Sequence, residues 1–187
     1  VRVTDATGTI ISSIFTITQP QPLSGSVIET LNVYCYSGRT GYIKAIGVGG
    51  YAPTGYTYNL VGPVTSGLTR AGVVTFDGLA AGNYTIQITD SLASTYTTPT
   101  ITLVEPNPVG ASINTLTTIT GSSITFSNFS GGTSGNYTVN CGNGLGPISV
   151  VPGNNLTLTN LISGTTYNTV ISRNNCPGTN YIINLSW

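Results

Sequence analysis

Phe76-Asp-Gly-Leu-Ala-Ala-Gly-Asn-Tyr-Thr-Ile-Gln-Ile-Thr-Asp90 is the stretch that decides the fold class. From Tyr84 onward, apolar Tyr84, Ile86 and Ile88 alternate with polar residues. This period of two is typical of a β-strand that is buried on one face. The glycines that precede Tyr84 indicate a tight corner, so the stretch predicts a loop that turns into a half-buried strand.

The same signal occurs three times along the chain. Residues 158–172 place Leu161, Gly164 and Tyr167 where the first stretch has Leu79, Gly82 and Tyr84. The opening residues, Val1-Arg-Val-Thr-Asp5, repeat the end of that stretch, Ile86-Gln-Ile-Thr-Asp90. Self-similarity at a fixed period is the signature of a repeat architecture, and it indicates a tandem repeat protein.

The composition restricts both the fold class and the partners. Only 5% of the 187 residues are charged, against about 25% in an average soluble domain. The alternating Val, Ile, Tyr and Thr runs favour an all-β protein over a disordered chain. No apolar run approaches the roughly 18 residues that a membrane span needs. The net charge is zero and basic residues do not cluster, which argues against nucleic acid as a partner.

Two proline-containing segments divide the chain. Gln19-Pro-Gln-Pro22 and Asn107-Pro108 read as stiff extended linkers, because proline fixes φ and biases its predecessor to extended geometry. We therefore predict the last strands of an incomplete repeat at residues 1–22, with strands at 1–4 and 14–18. A full repeat follows at 23–108, with its first strand at 32–36, and a diverged repeat at 109–187. The alternative is one sandwich that spans the whole chain, and the strand-like start leads us to expect a processed product or part of a longer polypeptide.

Tyr84 and Tyr167 are candidates for tyrosine corners. A tyrosine at the start of a late strand can lie across the end of a sandwich and hydrogen-bond to backbone upstream. The spacing from the preceding leucine differs by one residue between Leu79/Tyr84 and Leu161/Tyr167. The alternative is an ordinary exposed strand tyrosine at each position.

A series of short motifs in residues 31–106 resembles the SprB-type repeat, which occurs in tandem in very large surface adhesins of gliding Bacteroidetes and in related surface and viral fibre proteins. The motifs are Leu31-Asn-Val-Tyr-Cys-Tyr-Ser-Gly-Arg-Thr-Gly-Tyr-Ile43, Gly49-Gly50, Gly55-Tyr-Thr-Tyr58, Gly78-Leu-Ala-Ala-Gly-Asn-Tyr-Thr-Ile-Gln-Ile-Thr-Asp90 and Glu105-Pro106. The resemblance implies elongated tandem immunoglobulin-like β-sandwich modules with an adhesive or fibre-forming role, and it implies no particular ligand.

Three cysteines leave at least one thiol unpaired within the chain. The family commonly has one cysteine in the first motif and another just after the Thr-Asp turn, but the second position of the good copy falls near Ser94. The family disulfide therefore does not transfer to Cys35, which we expect to be a small buried apolar residue. Cys141 and Cys176 share a repeat, and we predict either a disulfide between them or two buried thiols.

No catalytic, metal-binding or cofactor-binding constellation is evident in the sequence. The chain contains no histidine, so serine and cysteine nucleophiles lack their usual base. The five acids are scattered, and none forms a spacing typical of a carboxylate pair or a metal site. Asp5 and Asp90 read as turn formers that bond their own backbone. We therefore expect a non-enzymatic protein without a cofactor.

Two functions fit these observations. The first is a structural protein of an extracellular fibre, adhesin stalk or virion surface fibre that associates with copies of itself. Its strands carry few of the charges that keep sheet edges from pairing. Residues 1–18, through Val1, Val3, Ile14 and Ile17, are a candidate intersubunit strand; the alternative is a cut in a longer chain. The second function is a head module that binds a surface glycan or receptor through exposed Tyr51, Tyr56 and Tyr96.

Overall fold

A computed structural model describes residues 2–118, 121–173, 175–178 and 180–184. All regular elements in these ranges are β-strands, so the all-β prediction is confirmed. The strands are β1 (Arg2–Thr4), β2 (Ile10–Ser12), β3 (Ser24–Leu31), β4 (Gly41–Val48), β5 (Tyr56–Val61), β6 (Ser66–Arg70), β7 (Val74–Leu79), β8 (Gly82–Thr89), β9 (Thr95–Thr97), β10 (Ile101–Leu103), β11 (Gly110–Thr118), β12 (Gly121–Ser130), β13 (Tyr137–Asn140), β14 (Ile148–Val150), β15 (Leu156–Leu161), β16 (Thr166–Arg173) and β17 (Asn180–Asn184).

Strands β3 to β10 form two antiparallel sheets around one core. One sheet has the order β3-β4-β7, and the other has the order β10-β8-β5-β6, with β9 also paired to β8. In β8, Tyr84, Ile86 and Ile88 are buried while the residues between them are more exposed, as the period of two predicts. Both sheets contribute side chains to this first core, which includes Ile43 and Phe76.

Strands β11 to β17 form a second pair of antiparallel sheets. Their orders are β11-β12-β15 and β14-β13-β16-β17. A separate cluster of buried side chains lies between them and includes Phe126, Val139, Tyr167 and Ile171. The chain thus has two sandwich-like cores, and the segment that contains Asn107 and Pro108 connects them.

Strands β1 and β2 form a hairpin outside both cores. Their register pairs Val3 with Ile11, and every residue of the two strands is exposed. The strand expected at residues 14–18 does not form. The strand expected at 32–36 is also wrong: β3 ends at Leu31, and residues 32–40 form a loop that leads into β4.

Candidate functional site

A disulfide joins the two halves of the chain. It links Cys35, in the loop after β3, to Cys176, in the turn after β16, with a Cα–Cα distance of 5.3 Å. The two cysteines are 141 residues apart in sequence. We call the surrounding structure the junction; it comprises residues 32–40, 105–109, 131–132, 173 and 175–178.

The predicted Cys141–Cys176 disulfide is therefore wrong, as is the expectation that Cys35 is a small buried apolar residue without a covalent partner. Cys141 is a free cysteine, 1% exposed, and packs in the second core. Burial raises the pKa of its thiol, because the charged thiolate would lose its hydration. Cys176 lies outside that core cluster and reaches the first half of the chain instead.

Hydrogen bonds to the end of the first half hold the loop that carries Cys35. The backbone N–H of Val33 donates to the carbonyl of Val104 at 2.9 Å, and that of Ser37 donates to a Glu105 carboxylate oxygen at 2.6 Å. Val33 itself is buried. The loop is thus fixed to the segment that leads directly into the second half, which places Cys35 at the boundary.

Arg173 holds the opposite side of the junction. Its guanidinium donates to the carbonyl of Gly131 at 2.8 Å and to that of Gly135 at 2.9 Å. It also lies 4.4 Å from the ring centroid of Tyr137, within range of a cation–π interaction. The backbone of Arg173 exchanges two hydrogen bonds with Cys176, so the same residue positions the turn that carries the disulfide.

Two glycine pairs make the same contact with the two proline-containing segments. The N–H of Gly50 donates to the carbonyl of Gln21 at 2.7 Å, and that of Gly132 donates to Asn107 at 2.8 Å. All four glycines of the two pairs have positive φ. An added Cβ at Gly49 would clash with the Pro22 carbonyl oxygen, and one at Gly131 would clash with that of Pro108. Close approach of backbone to backbone therefore requires glycine at both places.

Asp5 and Asp90 form the same turn at the ends of β1 and β8. One carboxylate oxygen of Asp90 accepts the N–H groups of Leu92 and Ser94 at 2.9 and 2.8 Å. The corresponding oxygen of Asp5 accepts those of Thr7 and Thr9 at 2.9 and 2.8 Å. The other oxygen of Asp90 accepts the Tyr51 N–H at 3.0 Å, beside Gly50. Both aspartates thus bond the backbone of their own turns.

Both candidate corner tyrosines hydrogen-bond to backbone upstream. The Tyr84 hydroxyl donates to the carbonyl of Ala80 at 2.9 Å, and the Tyr167 hydroxyl accepts the N–H of Ile162 at 3.1 Å. Both side chains are buried. Burial raises the pKa of the Tyr84 hydroxyl, since the charged form would lose its hydration.

The tyrosines considered for glycan binding differ in exposure. Tyr51 is half exposed, but Tyr56 is buried and donates its hydroxyl proton to the carbonyl of Gly49 at 2.8 Å. The expectation that Tyr56 is exposed is therefore wrong. Sequence reasoning missed Tyr34 and Tyr36, which flank Cys35 and are 47% and 49% exposed. Their alternation around the cysteine is visible in the sequence, but it predicts a strand where the structure has a loop.

Three of the four candidate intersubunit residues are described by the structure, and all three lie on the surface. Val1 lies outside the described residues, Val3 is 60% exposed, and Ile14 and Ile17 are each 96% exposed. The β1–β2 hairpin, which contains Val3, pairs its strands in the same register as β8 and β9. Val3 lies opposite Ile11, just as Ile88 lies opposite Tyr96. Ile88 is fully buried in the first core, whereas Val3 has no core to enter in the described chain.

Within the residues that the structure describes, no group of three or more His, Cys, Asp or Glu residues is arranged to hold a metal ion. The same part of the chain contains no helix that is long and apolar enough to cross a membrane.

Comparison with known proteins adds no family assignment. No protein-family model matches the chain, and no curated protein matches it. The resemblance to the SprB-type repeat stays a prediction that rests on the quoted motifs.

Proposed function

We propose that this protein is a non-enzymatic structural component of an extracellular fibre or adhesin stalk built from immunoglobulin-like repeats of the SprB type. In this proposal residues 23–108 and 109–187 are two repeats, and residues 1–22 are the end of a preceding one. The disulfide supports a location outside the cell, on a cell surface or a virion, because disulfides persist in oxidising surroundings.

The junction is the observation that carries the proposal. A stalk must keep its extension under load, so its consecutive units need joints that resist bending. Here a glycine pair is bonded to a proline-containing segment in both halves, and the Cys35–Cys176 disulfide links the halves covalently. Linkers between independent binding domains are more often flexible and poor in such contacts.

The distribution of charge supports association with further copies. Arg173 is the one charged residue between Pro106 and Trp187, and its side chain is already bonded within the junction. Electrostatic repulsion between like-charged copies normally helps to keep proteins monomeric. A surface with so little charge offers almost none of this repulsion. Residues 1–18 provide a second route, since exposed Val3, Ile14 and Ile17 suit strand addition to a neighbouring subunit.

Electron microscopy of the full chain across a range of concentrations tests the proposal. Filaments or regular rods of end-to-end copies are expected. Particles that stay single and vary widely in the angle between their two halves would contradict it. The double variant Ile14→Asp with Ile17→Asp addresses strand addition: if residues 1–18 join the copies, filaments shorten, and unchanged filaments exclude that route.

A second candidate is a head module that binds a glycan or receptor. The observation that favours it is the exposure of Tyr34 and Tyr36 beside the disulfide, because aromatic rings can stack on the apolar faces of sugars. A glycan array probed with the full chain tests it. Glycan binding that is lost in the Tyr34→Ala, Tyr36→Ala double variant would support the head module. A wild-type chain that binds no glycan would contradict the head module and favour the structural role.

A further inference from the structure

Strand β11 presents the longest uncharged sheet edge in the described chain. It spans nine residues, Gly110–Thr118, and pairs with β12 on one side only. None of its residues is charged. An edge strand exposes unpaired backbone donors and acceptors, and natural proteins usually protect such edges with charges, bulges or short length.

Two other edge strands of the three-stranded sheets, β3 and β15, are protected. The open edge β3 has a register shift between Val27 and Glu29, and Glu29 forms a salt bridge with Lys44 at 2.6 Å. The opposite edge β15 has Asn160 at a φ of 58° and a register shift against β12. In the pairing of β11 with β12 the extra residue lies on β12, where Asn128 has a φ of 50°. The backbone of β11 therefore remains regular.

Tyr181 shows which residues of β11 face outward. Its hydroxyl accepts the N–H of Ala111 at 3.0 Å and donates to the carbonyl of Ala111 at 2.7 Å. Both groups of Ala111 thus point away from β12. Because successive residues of a strand point their backbone groups in opposite directions, those of Ile113, Thr115 and Thr117 also point away from β12.

Tyr181 therefore closes one end of the edge and leaves the remainder open. Its ring is positioned by Phe126 of the second core, with centroids 6.4 Å apart. Ile113 and Thr115, the next outward-facing residues, have no partner strand on that side in the described chain. The free segment is centred on Thr115.

We propose that this free segment pairs antiparallel with the same segment of a second copy, with Thr115 opposite Thr115. A two-fold axis brings each outward donor against an outward acceptor, so the edge is complementary to itself. Ile113 of one copy faces Thr117 of the other. No charged residue of β11 opposes the pairing. The inference deepens the proposed self-association by naming its surface.

Cysteine cross-linking tests the register directly. In a Cys141→Ala background, Thr115→Cys should give a covalent dimer on mild oxidation, since directly opposed residues lie about 5.5 Å apart in a hydrogen-bonded antiparallel pair. The matched control is Thr159→Cys, an exposed position on the opposite edge β15. Dimers through Thr159→Cys but not Thr115→Cys would overturn the proposal. So would a preferred mixed product of Thr115→Cys with an Ile14→Cys chain, which would make residues 1–18 the occupant.

Sedimentation velocity of three variants provides an independent test. Thr115→Pro removes an outward N–H and leaves the ladder with β12 intact, and it should weaken dimerisation about tenfold or more. Thr115→Lys adds an edge charge and should have the same effect. Thr115→Val keeps the N–H and should dimerise normally. Thermal unfolding checks that each variant is folded.

The outcomes separate this inference from the proposed function. Filaments that persist in folded Thr115→Lys overturn the β11 interface and leave the fibre intact. A wild-type chain that remains monomeric at all concentrations also overturns the interface, while a rigid junction in electron micrographs still supports a stalk. Loss of both dimers and filaments in Thr115→Lys, with Thr115→Val unaffected, is the expected result.

Discussion

Asp90 lies at the end of β8 and organises the turn beside the first glycine pair. Its carboxylate accepts three backbone N–H groups, from Tyr51, Leu92 and Ser94. The hydrogen bond from Tyr51, followed by those from Ser94 and Leu92, lowers the pKa of Asp90 below its usual 3.8, because the donors favour the charged form. Arg173 occupies the corresponding position in the second half: its side chain lies against Gly132, as that of Asp90 lies against Gly50.

The lowered pKa of Asp90 predicts a loss of stability in acid. Its stabilising effect is complete above the unfolded-state pKa of about 4 and is lost as the pH falls through the lower folded-state value. We expect the melting temperature to be level from about pH 8 to pH 5 and to fall below about pH 4. Asp90→Asn should flatten part of this fall, since an amide does not titrate; an unchanged acid profile would contradict the role given to Asp90.

At the scale of elements, turns and strand ends decide how the sheets are joined. The glycine pairs let the backbone of the proline-containing segments approach the ends of β4 and β12. The loop that precedes β4 extends from the first half toward the second, and the turn after β16 meets it at the disulfide. The regular strands make the cores, and these irregular segments make the junction.

Gly131→Ala should destabilise the chain by about 2 kcal/mol or more, because left-handed backbone strain adds to a clash with Pro108. Gly153→Ala is the matched control. Gly153 also has a positive φ, 89°, but an added Cβ there would meet nothing within 4 Å. Gly153→Ala should therefore lower the free energy of unfolding only by the backbone strain, about 1 kcal/mol. Equal losses in the two variants, measured by urea unfolding, would show that the contact with Pro108 is unimportant.

The disulfide predicts a specific peptide map. A non-reduced digest should yield one linked product that contains Cys35 and Cys176, and Cys141→Ala should retain it. The buried Cys141 thiol should react with a thiol reagent only after denaturation. Closing a loop across 141 residues stabilises the chain by about 5 kcal/mol in the loop-entropy account, so Cys35→Ser should lower the urea midpoint. A product that links Cys141 to Cys176 would contradict this pairing.

Charged residues are distributed unevenly over the whole molecule. Of five basic and five acidic residues, only Arg173 lies after Glu105. The second half therefore offers mainly hydroxyl, amide and apolar groups, so the proposed contacts between copies there would depend on hydrogen bonds and burial. Salt screens charge interactions and has little effect on such contacts.

Self-association should accordingly change little with ionic strength. We expect less than about a threefold change in the dimerisation constant between roughly 0.05 and 0.5 M NaCl, measured by sedimentation. Thr115→Lys, which adds the charge that the edge lacks, should introduce a salt dependence into whatever association remains. A steep decline of wild-type association with added salt would point to Arg2, Arg39 or Arg70 of the first half instead.

The all-β class follows from the sequence alone, because a period of two in residues such as Tyr84, Ile86 and Ile88 requires only local backbone geometry. The turns at Asp5 and Asp90 follow from the sequence too, because one carboxylate oxygen of each aspartate accepts the backbone N–H groups two and four residues further along the chain. Tertiary structure alone decided the Cys35–Cys176 pairing, the burial of Tyr56 and the exposure of the β11 edge. Each depends on which segments meet in space after the sheets have packed, and residues 141 positions apart carry no local signal that they will meet.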